Sequence, residues 1–476
     1  MSGAVFTLGN SVSGSLGLGD AISKFGRVAA TGLTIEQDPD TVNSYLTTRY
    51  AGLSAVTSGG VTTFLNPSLV VIPSAYNNGI VYSLHSKQVN TGDFTVTRNT
   101  EARRVNSVGQ IASIGSGLPR LDYLTSGGTV ETPSLLVEPS GTNLALQSEA
   151  WNVSPWAATS GGQGSTVSGN VTTSPDGTTN ADKLIEAAVT GNHFCLQSLT
   201  LTSGTTYTAS FFVKASERTR GRLRTSGSGV YWDLDFNLTS GTVTGGTNPF
   251  IQNFGNGWYR IGATFTANQA SNNFILFLLD ASGNSSYTGN GTNGLFVWGA
   301  QLETGSVATS YIPTTTGTGS RSADVVSVSG AVSGSIGQTE GTIYAEVDLS
   351  NFSTTTQAIL HLFENNQNMI GIQAIRSGGN NLLQVYAFVA GSLVVDITYT
   401  IPAAGIYKIA FGYKLNDYRL FVNSVDRGSD STAGVPITSQ VLLGHYGGQI
   451  QFNNRIRAVA LYTTRLTNQQ LQLLTT

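Results

Sequence analysis

The sequence predicts an all-β protein of tandem β-sandwich or jelly-roll modules behind a mixed N-terminal attachment region. Three observations carry this. Short apolar–polar alternations recur from residue 143 onward, in YTASFFVKAS, GWYRIGATFTA and GTIYAEVDLS among others, and a period of two marks a half-buried strand. Turn-forming stretches such as NLTSGT, GNG and ASGNSS separate them, in a chain with 57 glycines among 476 residues; such residues supply tight turns. Helix signals are confined to one stretch near each end.

Charged residues make up 11% of the chain and hydrophobic ones 39%. Disorder pairs low hydrophobicity with high charge, so this composition belongs to a folded chain. The length implies about two to four domains. A net charge of −3 gives no electrostatic case for nucleic acid or an anionic membrane as partner. Cys195 is the only cysteine, which rules out an intrachain disulfide and suits assembly in a reducing cytoplasm. The opening MSGAVFTLGNSVSG lacks the basic start and apolar core of a secretory signal. No apolar run reaches membrane-spanning length, so no membrane insertion is expected.

Residues 1–65 read as an arm followed by a helix, DPDTVNSYLTTRYAGLSAV, with Asp38 as N-cap and Pro39 at its first position. Val42, Tyr45, Leu46, Ala51 and Leu53 give it an apolar stripe, which suits either packing on the next domain or docking in an assembly. Residues 66–142 read as a small β-rich connecting region. Asp93–Arg98 alternates as a strand, and Val105–Ile114 reads as a hairpin turning at Ser107–Gly109. Arg98, Arg103 and Arg104 present two readings: a phosphate or acidic-glycan site, or arginines paired with backbone carbonyls and carboxylates such as Asp93, Glu101 and Asp122.

Residues 143–316 form one sandwich or jelly roll and residues 317–476 another, joined by the Thr/Gly/Ser linker after Pro313. Tyr231 and Trp232 are adjacent in a strand and so face opposite ways, leaving one outside the core and able to stack on a sugar ring. In the last module Thr467 is a predicted helix cap, with Gln470 completing a capping box.

The stretch WGAQLETGSVATSYIPTTTGTGSRSADVV, Trp298–Val326, resembles a recurring segment of bacteriophage virion proteins. So does the stretch from NNGIVYSLHSKQVN through SLLVEPSGTNLALQSEAW. The resemblance implies a carbohydrate-binding-module-like jelly roll over 143–316, with Trp258 and Trp298 as its buried framework, then a concanavalin A-like or laminin-G-like sandwich over 317–476. It also implies a tail or head fibre or decoration protein, assembled in the host cytoplasm and carried on the virion. Such appendages are usually homo-oligomers, with a trimer favoured. Other virion proteins would be met through residues 1–65, and a host-surface glycan through the two later modules. Tyr231, Trp232, Asp280, Asn284 and Tyr287 are the candidate sugar contacts. Jelly rolls of this kind often carry a structural calcium, for which Glu138, Asp182 and Glu303 are the candidate ligands; the alternative is that they bond to backbone amides and arginines. No other cofactor is expected.

No enzyme is expected either. His85, His193, His361 and His445 are scattered and lack metal-ligand spacing. Asp233 with Asp235, and Glu346 with Asp348, share strand faces, but a glycosidase needs two carboxyls flanking a sugar bond. There is neither a Gly-x-Ser-x-Gly elbow nor a phosphate-cradling loop. The alternatives are a glycan depolymerase and a purely architectural decoration protein.

Overall fold

The structure is a computed structural model. It describes residues 52–476 except 66, 72, 74–82, 86–93, 124, 127–128, 131, 161–162, 228, 329–331, 353–354 and 448–449. The strand Glu340–Leu349 shows how its larger sandwich is held. Ile343, Ala345, Val347 and Leu349 project into the core between two sheets. Tyr344 projects the other way and is also buried, beneath Leu471 and Leu474 of the C-terminal helix Asn468–Leu474. A sheet covered on both faces needs apolar residues on both, which is why this strand is buried almost throughout. Thr467 caps the helix, and its capping box with Gln470 forms as predicted.

One sheet of this sandwich runs Val425–Asp430, Tyr418–Val422, Gly405–Lys414, Glu340–Leu349, Asn454–Tyr462, Ser134–Val137, Arg120–Asp122, with Leu69–Val71 also on Asn454–Tyr462. The other runs Ser392–Thr400, Asn380–Val389, Asn368–Ser377, Gln357–Asn365, Gln440–Leu443, Val325–Val328, Phe94–Thr97. All these neighbours pair antiparallel. The expected separate connecting region at 66–142 is therefore corrected. Its strands Leu69–Val71, Ser83–His85, Phe94–Thr97, Arg120–Asp122 and Ser134–Val137 belong to the two sheets of the C-terminal sandwich, and Leu69, Val71, Val96, Leu135 and Val137 sit in that sandwich's core.

The expected helix over Asp38–Val56 lies outside the described residues except for its end. Gly52–Ser54 is helical, and Ala55–Ser58 is instead a strand, paired with Val61–Phe64. Leu53, Val56 and Leu65 pack with Tyr462, Leu466 and Leu471, and the Tyr462 hydroxyl donates to the Leu53 carbonyl at 2.6 Å. This end docks on the last module rather than on the next one in sequence.

The second sandwich is inserted into the first. Gly141–Asn143 leaves and Gly319–Arg321 returns as one antiparallel ladder. Between them lie a seven-stranded sheet, from Thr159–Ser160 to Thr247–Gly255, and a five-stranded sheet. The five run Phe194–Thr200, Ser271–Leu278, Arg220–Gly227, Val230–Asn237, Thr242–Gly245. Trp151 and Trp156 stack at 4.1 Å in the core between these sheets. Trp258 and Trp298 are buried as expected, but on the outer face of the seven-stranded sheet, with Ile111 and Tyr311. They join the inserted sandwich to the hairpin Ala102–Val105 and Ile111–Ile114, which forms where its alternation predicts.

A buried ionic cluster closes the base of the insertion. Arg120 reaches Glu138 at 2.6 Å and also pairs with Asp324. Arg98 pairs with Asp324 at 2.8 Å, and Arg321 with Glu138 at 3.3 Å. Burial alone would raise the Glu138 carboxyl, but Arg120 and then Arg321 overcome it and hold it at about 2. Arg98 also donates to the carbonyls of Thr100 and Leu118, Arg104 to that of Leu121, and Arg103 pairs with Glu101 at 3.7 Å. The pairing reading of these arginines thus describes their geometry.

Candidate functional site

The outer face of the five-stranded sheet gathers the exposed chemistry of the inserted sandwich. Strand alternation puts Arg222 and Arg224 on this face, and Leu223 inside. The neighbouring strand presents Tyr231, Asp233 and Asp235 in the same way. Cross-strand register sets Arg222 opposite Asp235 and Arg224 opposite Asp233. Both pairs are bidentate: 2.5 and 2.8 Å for Arg222 with Asp235, and 2.6 and 2.7 Å for Arg224 with Asp233. Fork-to-fork contacts of this kind hold both planar groups in a fixed orientation.

Tyr231 stands beside these two rungs, 59% exposed. The Arg224 guanidinium lies 4.5 Å from its ring centre and 5.1 Å from that of Phe277. Phe277, Ile275 and Phe194 form a buried apolar cluster beneath this face. The face therefore offers an exposed aromatic ring beside paired donors and acceptors.

The five predicted sugar contacts do not meet in one site. Trp232 points inward, packing on the core with its ring 5.3 Å from that of Phe265; period two sends it opposite to Tyr231. Asp280 and Asn284 lie together in an exposed loop, where Asp280 accepts the backbone N–H groups of Ser282 and Asn284. Tyr287 is half-buried and fixed by structure. Its hydroxyl donates to Glu186 at 2.8 Å, and Arg218, bidentate to the same carboxylate, lies 4.7 Å over its ring. The Asp280 loop follows Leu278, which pairs with Gly221, whereas Tyr231 pairs with Ser226. Five residues of strand, about 17 Å, separate the two ends. Arg222 and Arg224 were not among the predicted contacts. Their signal was the alternation RGRLR set against DLD across a turn.

The expected calcium ligands form no cage. Asp182 accepts backbone N–H groups from Trp151, Asn170 and Asn152 at 2.7, 2.9 and 3.2 Å. Glu303 accepts from Gln301 and from the Thr309 N–H, and Glu138 is taken up by arginines and Ser310. Among the described residues no three acidic, histidine or cysteine groups converge on a metal position. Hydrogen-bond donors already occupy the oxygens that calcium would need.

The two acidic pairs weighed for hydrolysis are also engaged. Glu346 pairs with Arg457 at 3.2 Å, and Asp348 bonds to Ser350 with Arg455 at 3.9 Å. Of His85 only the backbone is described. His193 contacts the carbonyls of Gly164 and Tyr287. His445 meets the Val326 carbonyl.

His361 is fully buried, 2.7 Å from the Tyr386 hydroxyl and close to Tyr446. Burial, and then neighbouring His445, push its pKa down to about 3. Below pH 6.5 the unfolded chain binds a proton here that the folded chain refuses. The wild type should therefore lose about 1.4 kcal/mol per pH unit relative to His361→Gln as pH falls from 6.5 toward 3. Chemical denaturation of both proteins at pH 7, 6 and 5 tests this; a constant stability gap would refute it.

No family model matches the chain, and no curated protein matches it. Solved structures resemble parts of it. Domain 4 of AbnA, a GH43 extracellular arabinanase from Geobacillus stearothermophilus with arabinotriose bound, matches at 14% identity and a TM-score of 0.26, over 32% of this chain and 73% of that one. A Ruminococcus gnavus sialidase CBM40 with sialyllactose bound matches at 16% identity and 0.23, over 29% and 84%. The enzymatically active domain of tailspike protein 2 from bacteriophage CBA120 matches at 13% and 0.25, over 30% and 24%.

Proposed function

We propose that this protein is a non-enzymatic appendage of a bacteriophage virion that binds a host-surface glycan through the outer face of its five-stranded sheet. The observation that carries the binding role is exposed Tyr231, held under Arg224 beside two bidentate Arg–Asp rungs. A sugar has an apolar ring face, which suits stacking on tyrosine. Its vicinal hydroxyls suit the remaining donors and acceptors of the rungs. The phage context rests on the sequence resemblance over Trp298–Val326. Engagement of all four paired acids by arginine supports binding without cleavage. Residues 1–65 would attach the chain to other virion proteins, and a homo-oligomer, a trimer by the same resemblance, would multiply a weak single site by avidity.

The test is a glycan array probed with the assembled protein, followed by titration of each hit with Tyr231→Ala. An affinity loss of about tenfold or more is expected, ~1.4 kcal/mol, with no change in melting temperature because the ring is largely exposed. Affinity should change little between low and high salt, since the two rungs pair two arginines with two aspartates. Binding unaltered by Tyr231→Ala would place recognition elsewhere, and no hit would leave an architectural decoration protein.

A further inference from the structure

Where the inserted sandwich meets the larger one there is a cleft of about 670 Å³, within the range of small-molecule sites. One wall is the outer face of the seven-stranded sheet, with Phe250, Gln252 and Arg260, and the loop Ser306–Tyr311. The other is built by Arg103, Arg104, Phe352, Arg376, Asn381 and Arg455. Five arginines and two acids line it, in a chain whose net charge is −3. Both acids are consumed: Asp122 by Arg455 at 2.6 Å, and Glu138 by Arg120 and Arg321.

Among the described residues, neither Arg260 nor Arg376 makes an ion pair. Arg260 is 7% exposed and donates only to neutral groups, the Thr309 carbonyl at 2.7 Å and the Ser210 hydroxyl at 3.1 Å. Its Nε has no hydrogen-bond partner among the described residues. Burial lowers its pKa against the more distant pull of Glu303 and Glu138. A buried guanidinium without a direct ion pair is costly. Arg376 is exposed at the cleft, directly across the ladder from Asn381, and makes no ion pair among the described residues.

We propose that this cleft is a second binding site, for an acidic oligosaccharide whose sugar carboxylates pair with Arg260 and Arg376. The planar guanidinium fork fits a carboxylate, Gln252 and Asn381 suit sugar hydroxyls, and Phe250 and Phe352 supply apolar walls. The site is independent of the Tyr231 face, which belongs to the other sheet of the insertion.

Calorimetric titration of the full chain with oligomers of galacturonate, glucuronate and mannuronate tests the assignment. At least one should bind. Its methyl-esterified form should bind at least tenfold more weakly, and so should the acidic form to Arg376→Glu, while Tyr231→Ala leaves the affinity unchanged. Arg376 is exposed and its variant should fold, as a melting curve would verify. Raising salt from 50 to 300 mM should weaken binding several-fold. The proposal is overturned if no uronate oligomer binds at millimolar concentration, if the ester binds equally, or if Arg376→Glu binds as the wild type does. Inorganic phosphate competing at the same concentration as the oligomer would reduce the site to an anion hole and overturn the sugar assignment.

Discussion

Arg120→Ala is expected to destabilise the protein by about 3–5 kcal/mol, the usual cost of breaking a buried ion pair from one side. Arg120 is fully buried between Glu138 and Asp324, and its guanidinium also donates to Ser310 at 2.8 Å. Alanine leaves two buried carboxylates with only Arg98 and Arg321 to share. Glu138 gives the loss a pH signature. Its folded pKa of about 2 lies below the ordinary 4.5, so the unfolded chain takes up the proton first. Its contribution is complete above pH 4.5 and drains away as pH falls toward 2. In Arg120→Ala that acid-dependent part should shrink, and Glu138→Gln added to it should cost less than it does alone. Urea denaturation at neutral pH decides; a loss below about 1 kcal/mol would mean the cluster is not structural.

Removing the inserted sandwich should leave the larger one folded, whereas residues 319–476 alone should not fold. The first half follows from the ladder that pairs Gly141 with Arg321 and Asn143 with Gly319. Chain exit and return are adjacent strands, about 5 Å apart, which a short glycine turn can join. The second half follows from strand membership. Ser134–Val137 lies between Asn454–Tyr462 and Arg120–Asp122, and Val325–Val328 relies on Phe94–Thr97. A fragment starting at 319 loses Leu69, Val71, Val96, Leu135 and Val137 from its core. At about 1.5–3 kcal/mol for each fully buried aliphatic side chain, that loss rivals the whole stability of a typical domain, about 5–15 kcal/mol. Circular dichroism and thermal melts of the two proteins are the measurement. Cooperative melting of 319–476 would show that the early strands only decorate the sandwich.

The candidate face was half legible. That Tyr231 and Trp232 oppose one another follows from strand geometry, and so does the shared face of Asp233 and Asp235. Which aromatic faces solvent depends on which side of the sheet the other layer covers, and adjacent residues carry no record of that. The Arg222 and Arg224 partners could be read only after pairing the two strands in register. Tyr287 looked available because Glu186, which holds its hydroxyl, lies 101 positions away.

By itself the sequence determined what is local: the period-two strands, the turns between them and the Thr467–Gln470 cap. These depend on side-chain alternation and nearby backbone groups, which a short window contains. The tertiary structure alone decided what is distant. Asp324 serves Arg98 from 226 positions away, and Arg455 serves Asp122 from 333. Residues 69–137 complete a sandwich whose other strands begin only at Val325, with a whole domain between them. The physical reason is that a strand's backbone donors and acceptors are the same for every neighbour. Alternation says that a strand has a buried face, while the choice of partner is made by the sheet edge and core that remain to be covered once the chain has collapsed.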